Sequence, residues 1–112
     1  MNLLDALLCA SLSTGLSVQT AAPHWQQRAP DPAECAWTVA RADCAGLYLP
    51  FGRGAIVAGS WSVLVHEACH ALQHAHGLPF DEAPCYRAQA MAMNCPGAPR
   101  ASVIPARLRD GK

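Results

Sequence analysis

The sequence predicts a small α+β fold in one domain. Its 112 residues suffice for a single modest core, and 52% of them are hydrophobic. Between Trp61 and Leu72, apolar residues recur at the three- and four-residue spacing of a buried helical face. Short segments with β character come earlier, at Ala36–Ala40 and Gly46–Leu49. Helices and strands in separate stretches of a short chain are typical of this class.

The amino-terminal segment 1–20 is predicted to form a helix. Leu4, Leu8 and Leu12 recur every fourth residue, which is the stripe of an amphipathic helix, and Gly15 is a natural stop. The alternative is a signal peptide whose apolar region is the same leucine-rich stretch. The first 27 residues contain no Lys or Arg, which favours the helix over the signal peptide.

The rest of the chain divides into a linker, a core and a tail. Residues 21–34 are predicted to be a proline-containing linker, because they show no periodicity. Residues 35–97 are the predicted core, and residues 98–112 an irregular tail. Within the core, Pro50–Gly54 has turn composition and Ile56–Ala58 is predicted as the returning strand of a small hairpin.

Two helices are predicted after the hairpin. The first runs from Trp61 to His76 and is ended by Gly77 followed by Pro79. Asp81 is a plausible N-cap for the second, which we place at Glu82–Asn94.

Charge and cysteine content exclude some classes of function. The formal net charge is zero and the eight basic residues are dispersed, so we expect no nucleic-acid partner. No apolar run approaches the roughly 18 residues of a membrane span, so none is expected. Six cysteines in so short a chain favour an oxidising compartment or a redox-protected fold. Their 15 possible pairings are not resolved by sequence.

Residues 66–70 form an H-E-x-x-H motif. Two histidines four apart on a helix share a face, so the imidazoles of His66 and His70 can reach one metal ion at about 2.0–2.1 Å. Glu67 points about 100° further round the helix, where it can take the proton of a metal-activated water. The motif predicts a catalytic zinc ion, Zn²⁺; the alternative is a chance arrangement of surface histidines.

A third ligand is expected, because two histidines alone do not hold a catalytic zinc ion. His76 has the spacing of H-E-x-x-H-x-x-G-x-x-H, but Gln73 stands where that pattern needs glycine to turn the chain. His74 lies about 12 Å along the helix axis from the first motif histidine, which is too far. Glu82, in the first turn of the next helix, is the preferred ligand, and Asp81 the near alternative. A helix-dipole role would also explain Glu82.

Two segments carry a family resemblance: VHEACHALQ at 65–73 and EAPCYRAQ at 82–89. Together they resemble the small gluzincin-type zinc metallopeptidases over about residues 45 to 95. The resemblance implies a zincin-like domain in which His66, His70 and Glu82 bind zinc and Glu67 is the general base. It also implies a peptide or protein substrate.

The cysteine positions suggest two disulfides. A Cys69–Cys85 bond would clamp the two ligand-bearing helices together, and a Cys35–Cys44 bond would close a local loop. The alternative is that several cysteines are small buried residues with free thiols.

Hydrolysis of peptide bonds is the expected activity. The Ile56–Ala58 strand could pair with an extended substrate, or be a short structural edge strand. Tyr86 could donate to the oxyanion, although core packing is the favoured role at its helical spacing. Two other functions stay open: a zincin-scaffold binding module without catalysis, and a disulfide-stapled structural protein.

Overall fold

The fold was obtained as a computed structural model, which describes residues 1–19, 22–39, 41 and 43–99. Helices and a small sheet within these residues confirm the predicted α+β class. In chain order the elements are α1 (Leu3–Thr14), β1 (His24–Gln26), α2 (Pro32–Val39), β2 (Gly46–Leu49), β3 (Ala55–Ala58), α3 (Trp61–Ala75), α4 (Glu82–Met91) and a 3₁₀ helix (Ala92–Asn94). Most of the predicted tail, residues 100–112, lies outside the described part of the chain.

The sheet has the order β1-β3-β2. The predicted hairpin is confirmed: β2 and β3 are antiparallel, with Gly46 opposite Ala58 and Leu49 opposite Ala55. β1 runs parallel to β3 within the segment predicted as a linker without regular structure, so that prediction is wrong there. A three-residue strand has almost no local signal, and its pairing with β3 is a contact distant in sequence.

β3 is the central strand, with a partner on each side. The predictions that Ile56–Ala58 is an edge strand, or pairs with a substrate, are therefore wrong. Both of its hydrogen-bonding edges are already occupied. Within the described residues, the outer edge of β2 has no partner strand.

The second helix replaces a predicted strand. Ala36 to Val39 belong to α2, although Trp37 and Val39 have β character. The carboxylate of Asp31 accepts from the backbone N–H of Glu34 at 2.8 Å, and that of Glu34 accepts from the N–H of Asp31 at 3.0 Å. This reciprocal capping box, with proline at the first helical position, starts the helix and overrides the β propensity.

The amino-terminal segment contains the helix α1, and the leucine stripe of this helix faces solvent. Leu4, Leu8 and Leu12 are 54%, 48% and 73% exposed. The buried side of α1 is instead formed by smaller residues and one leucine: Ala6, Leu7, Cys9 and Ala10. Small side chains allow α1 to approach α3 and α4 closely, and with β3 these helices enclose a single core cluster.

The predicted helices α3 and α4 are confirmed, α3 to within one residue. α3 ends in a Schellman-type cap: the N–H of Gly77 donates to the carbonyl of His74, and that of Leu78 to the carbonyl of Gln73. Gly77 adopts a φ of +71°, which glycine reaches without strain. At the start of α4, the carboxylate of Asp81 accepts from the N–H of Ala83, as its predicted N-cap role requires.

All six cysteines are paired. The predicted Cys69–Cys85 and Cys35–Cys44 disulfides are both present. A third disulfide, Cys9–Cys95, joins α1 to the chain after α4. The alternative of free buried thiols is wrong.

The helices of the described residues are all too short or too polar to cross a bilayer.

Candidate metal centre

α3 presents the two motif histidines to one side of the core. His66 and His70 are each 6% exposed, and their ring centroids are 5.1 Å apart. They lie one helical turn apart because α3 is continuous from Trp61 to Ala75. Apolar neighbours on the same helix, including Leu64 and Val65, are fully buried and fix its position.

α4 brings the predicted third residue to the same point. The Oε1 atom of Glu82 lies 2.8 Å from Nε2 of His66 and 3.2 Å from Nε2 of His70. One ligand atom from each of the three residues lies within 4.8 Å of the others. The Cys69–Cys85 disulfide joins the two helices at this level, one turn after Glu82. The group could therefore hold a metal ion.

The two separations that involve Glu82 can be compared with those of a tetrahedral site. Ligand atoms about 2.0–2.2 Å from a shared zinc ion lie roughly 3.3–3.5 Å from one another. The Oε1 atom of Glu82 lies 2.8 Å from Nε2 of His66, which is shorter than this range, and 3.2 Å from Nε2 of His70, which is close to it. Two imidazole nitrogens and one carboxylate are also the donor types that zinc takes at catalytic sites.

The hydrogen-bond partners of the two histidines leave their Nε2 atoms facing Glu82. Nδ1 of His66 lies 2.8 Å from the amide oxygen of Gln89, and Nδ1 of His70 lies 2.9 Å from that of Gln73. These oxygens accept, so each Nδ1 carries the donated proton. In a neutral ring, Nε2 then has only a lone pair, and it faces the oxygen of Glu82. The two Nε2 lone pairs and the Oε1 atom of Glu82 are then three acceptors at one point. Either extra protons or a shared metal ion must lie between them.

The other candidate ligands lie elsewhere. Nδ1 of His74 pairs with the hydroxyl of Tyr48 at 2.9 Å. Nε2 of His76 contacts the backbone carbonyl of Ser17 at 2.8 Å. Asp81 uses its carboxylate as the cap of α4. Each is occupied by a contact outside the His66–His70–Glu82 group.

Glu67 is buried beside the centre. Its side chain lines the same cleft as His70 and Glu82, and the residue is 6% exposed. Within the described residues its carboxylate has no hydrogen-bond partner. Burial, and secondarily the charge of Glu82, raise the pKa of Glu67 to about 8. A buried acid with a perturbed pKa in a cleft is a typical functional candidate.

Glu82 shows the opposite shift. Partial burial acts to raise its pKa, but the charge of His70 and the hydrogen bond and charge of His66 outweigh it. The pKa of Glu82 is therefore lowered, whereas that of Glu67 is raised. The two acids of the site differ because one is beside the imidazoles and the other faces a largely apolar wall.

A cleft of about 460 Å³ opens onto the centre. Its walls come from the end of α2, from β2 and the turn after it, and from the segment before α4. Most of the lining side chains are apolar or aromatic: Trp37, Val39, Leu47, Tyr48, Leu49, Pro50, Phe51 and Phe80. Its ionisable carboxylates are Glu67 and Glu82. A large apolar cleft with a few convergent polar groups is typical of a ligand-binding site.

Two glutamines and a tyrosine at the centre were not predicted as parts of the site. Gln73 and Gln89 were predicted only as helix positions, because a glutamine in a helix does not show which side chain it will contact. Tyr86 was expected to pack in the core, which is wrong: it is 61% exposed, and its ring lies 4.6 Å from that of His66, centroid to centroid. Its place one turn after Glu82 was the available signal.

Comparisons with known proteins found no matching family model, no matching curated protein and no matching solved structure.

Proposed function

We propose that the protein is a zinc-dependent metallopeptidase. The observation that carries the proposal is the convergence of His66, His70 and Glu82, with the buried carboxylate of Glu67 in the same cleft. The donor set favours zinc over calcium or magnesium, which prefer all-oxygen sites. The resemblance of residues 65–73 and 82–89 to gluzincin-type peptidases supports the same assignment.

His66, His70 and Glu82 would hold the ion. Zinc bound there would polarise a scissile carbonyl and lower the pKa of a water molecule towards about 7. Glu67 would accept a proton from the attacking water and pass it to the leaving amine. A cation nearby favours the ionised form of Glu67, which this role requires. Tyr86, exposed beside His66, is a candidate hydrogen-bond donor to the oxyanion.

The substrate proposed is an extended peptide lying along β2. β2 lines the cleft, and no strand in the described part of the chain pairs with its outer edge, so main-chain hydrogen bonds can add a strand there. Trp37 and Phe51 are 74% and 64% exposed at the cleft, and Phe80 is 50% exposed. Such a wall favours bulky apolar side chains next to the scissile bond.

The test combines metal analysis with hydrolysis. Purified protein should contain about one zinc ion per chain, and should cleave acid-denatured casein at sites beside large apolar residues, mapped by mass spectrometry. Glu67→Gln should keep the zinc and lose about 10²- to 10⁴-fold in rate. Asp43→Asn, on a side chain that is 85% exposed, is the matched control and should change neither property.

Each part of the proposal can fail separately. Protein without zinc, even after incubation with zinc ions, would contradict the metal centre. Zinc-loaded wild type that leaves casein intact would favour the binding-module alternative. Equal cleavage by wild type and Glu67→Gln would remove Glu67 from the mechanism.

A further inference from the structure

We propose that Gln73 is the positioning residue of the metal centre, placing His70 and Glu82 together through one side-chain amide. The inference rests on the metal centre of the proposed function, but not on peptidase activity. Gln73 follows His70 by three residues and is 3% exposed. It occupies the position where the longer H-E-x-x-H-x-x-G-x-x-H pattern has glycine.

The orientation of the Gln73 amide is fixed by the backbone of Asp81. Its Nε2 donates to the Asp81 carbonyl at 2.9 Å, and its Oε1 accepts from the Asp81 N–H at 3.1 Å. Exchanging the two amide atoms would place donor against donor and acceptor against acceptor. The oxygen must therefore face Asp81 N–H, and the same oxygen lies 2.9 Å from Nδ1 of His70.

This fixed oxygen determines the tautomer of His70. The second neighbour of its Nδ1 is the sulfur of Cys85 at 3.6 Å, which is in a disulfide and has no proton to donate. Both neighbours of Nδ1 can only accept, so Nδ1 carries the hydrogen. The lone pair of the ring is left on Nε2, the atom that faces Glu82. A ligating histidine is oriented in this way by the partner of its other nitrogen.

The same amide sets the position of Glu82. Asp81, held on both backbone atoms by Gln73, directly precedes Glu82 and caps α4. The backbone carbonyl of Gln73 also accepts from Leu78 in the turn between the helices. One residue thus ties the end of α3 to the start of α4, and a shift of its side chain moves both ligands.

Zinc affinity and cobalt spectra test this role. The affinity is measured by competition with a chromophoric chelator, and the geometry by visible absorption of the Co²⁺ form. Gln73→Leu should bind zinc about 10- to 100-fold more weakly and show an altered cobalt spectrum. Gln73→Glu keeps an acceptor for Nδ1 of His70 and for Asp81 N–H but sets its second oxygen against the Asp81 carbonyl, so its zinc affinity should lie between those of Gln73→Leu and the wild type.

A readout on the wild type keeps the test valid if a variant fails to fold. Long-range ¹H–¹⁵N NMR of the zinc form should show His70 protonated at Nδ1 and ligating through Nε2. Ligation through Nδ1, or wild-type affinity and spectrum in folded Gln73→Leu, would overturn the role of Gln73 alone. A zinc affinity of Gln73→Glu no higher than that of Gln73→Leu would also overturn it. A wild type that takes up no metal would overturn the metal centre and this inference together.

Discussion

Glu67→Gln is expected to change how the stability of the metal-free protein depends on pH. Burial, with a smaller effect of Glu82, raises the pKa of Glu67 from an ordinary value of 4.5 to about 8. The folded state therefore binds this proton more tightly than the unfolded state. Below pH 4.5 both states are protonated and the burial carries no ionisation cost. As the pH rises from there to about 8, the free energy of unfolding falls.

The size of this fall follows from the shift. Each pKa unit corresponds to about 1.4 kcal/mol, so the full loss for Glu67 is on the order of 5 kcal/mol. Glutamine has nearly the same shape and does not titrate, so the variant lacks this loss. The difference in unfolding free energy between Glu67→Gln and wild type should grow by roughly 4 kcal/mol between about pH 5 and pH 8.5.

Urea denaturation across this pH range measures the effect, with a chelator present and no reductant. The buried Trp61 gives a fluorescence signal for unfolding. Glu34→Gln is the control. Arg28 holds the pKa of Glu34 at about 2, so this substitution should change the free energy of unfolding by an amount that does not vary over this pH range. If the free energy of unfolding changed with pH in the same way in the wild type and in Glu67→Gln, the reasoning would be refuted. Added zinc should reduce the fall, because a nearby cation favours ionised Glu67.

Two further substitutions test the geometry of the site. Glu82→Gln should weaken zinc binding by more than the roughly 10- to 100-fold expected for an outer hydrogen-bond partner, as measured by chelator competition; Asp43→Asn should bind like wild type. Gly46→Ala should lower the free energy of unfolding by about 1–3 kcal/mol in urea, because a methyl group there overlaps the side chain of Val63 and crowds Glu67. Unchanged stability in Gly46→Ala would contradict this close approach of β2 to α3.

The geometry of the three-residue group could be predicted because it depends on local rules. Two histidines four apart share a helix face, and the short turn from Gly77 to Pro79 returns the chain to that face at Glu82. The Cys69–Cys85 pairing followed from the same juxtaposition. These features need only helix geometry and a turn signal, both of which are present within residues 61–82.

Other features depend on contacts that the sequence does not display. β1 exists because β3 lies beside it, and the orientation of Gln73 depends on the backbone of Asp81. The leucine stripe of α1 was misleading, since the close packing of small residues on the other face decides which side is buried. For α2 a local signal was present in the sequence, because Asp31 and Glu34 have the spacing of a capping box; the prediction relied only on the β propensity of the residues that follow.

The Cys9–Cys95 disulfide makes most of the chain a covalent ring, since it joins positions 86 residues apart. A peptide bond broken once anywhere between these cysteines would leave both pieces attached to each other. A molecule nicked there by a protease would migrate as one chain on a gel until it was reduced.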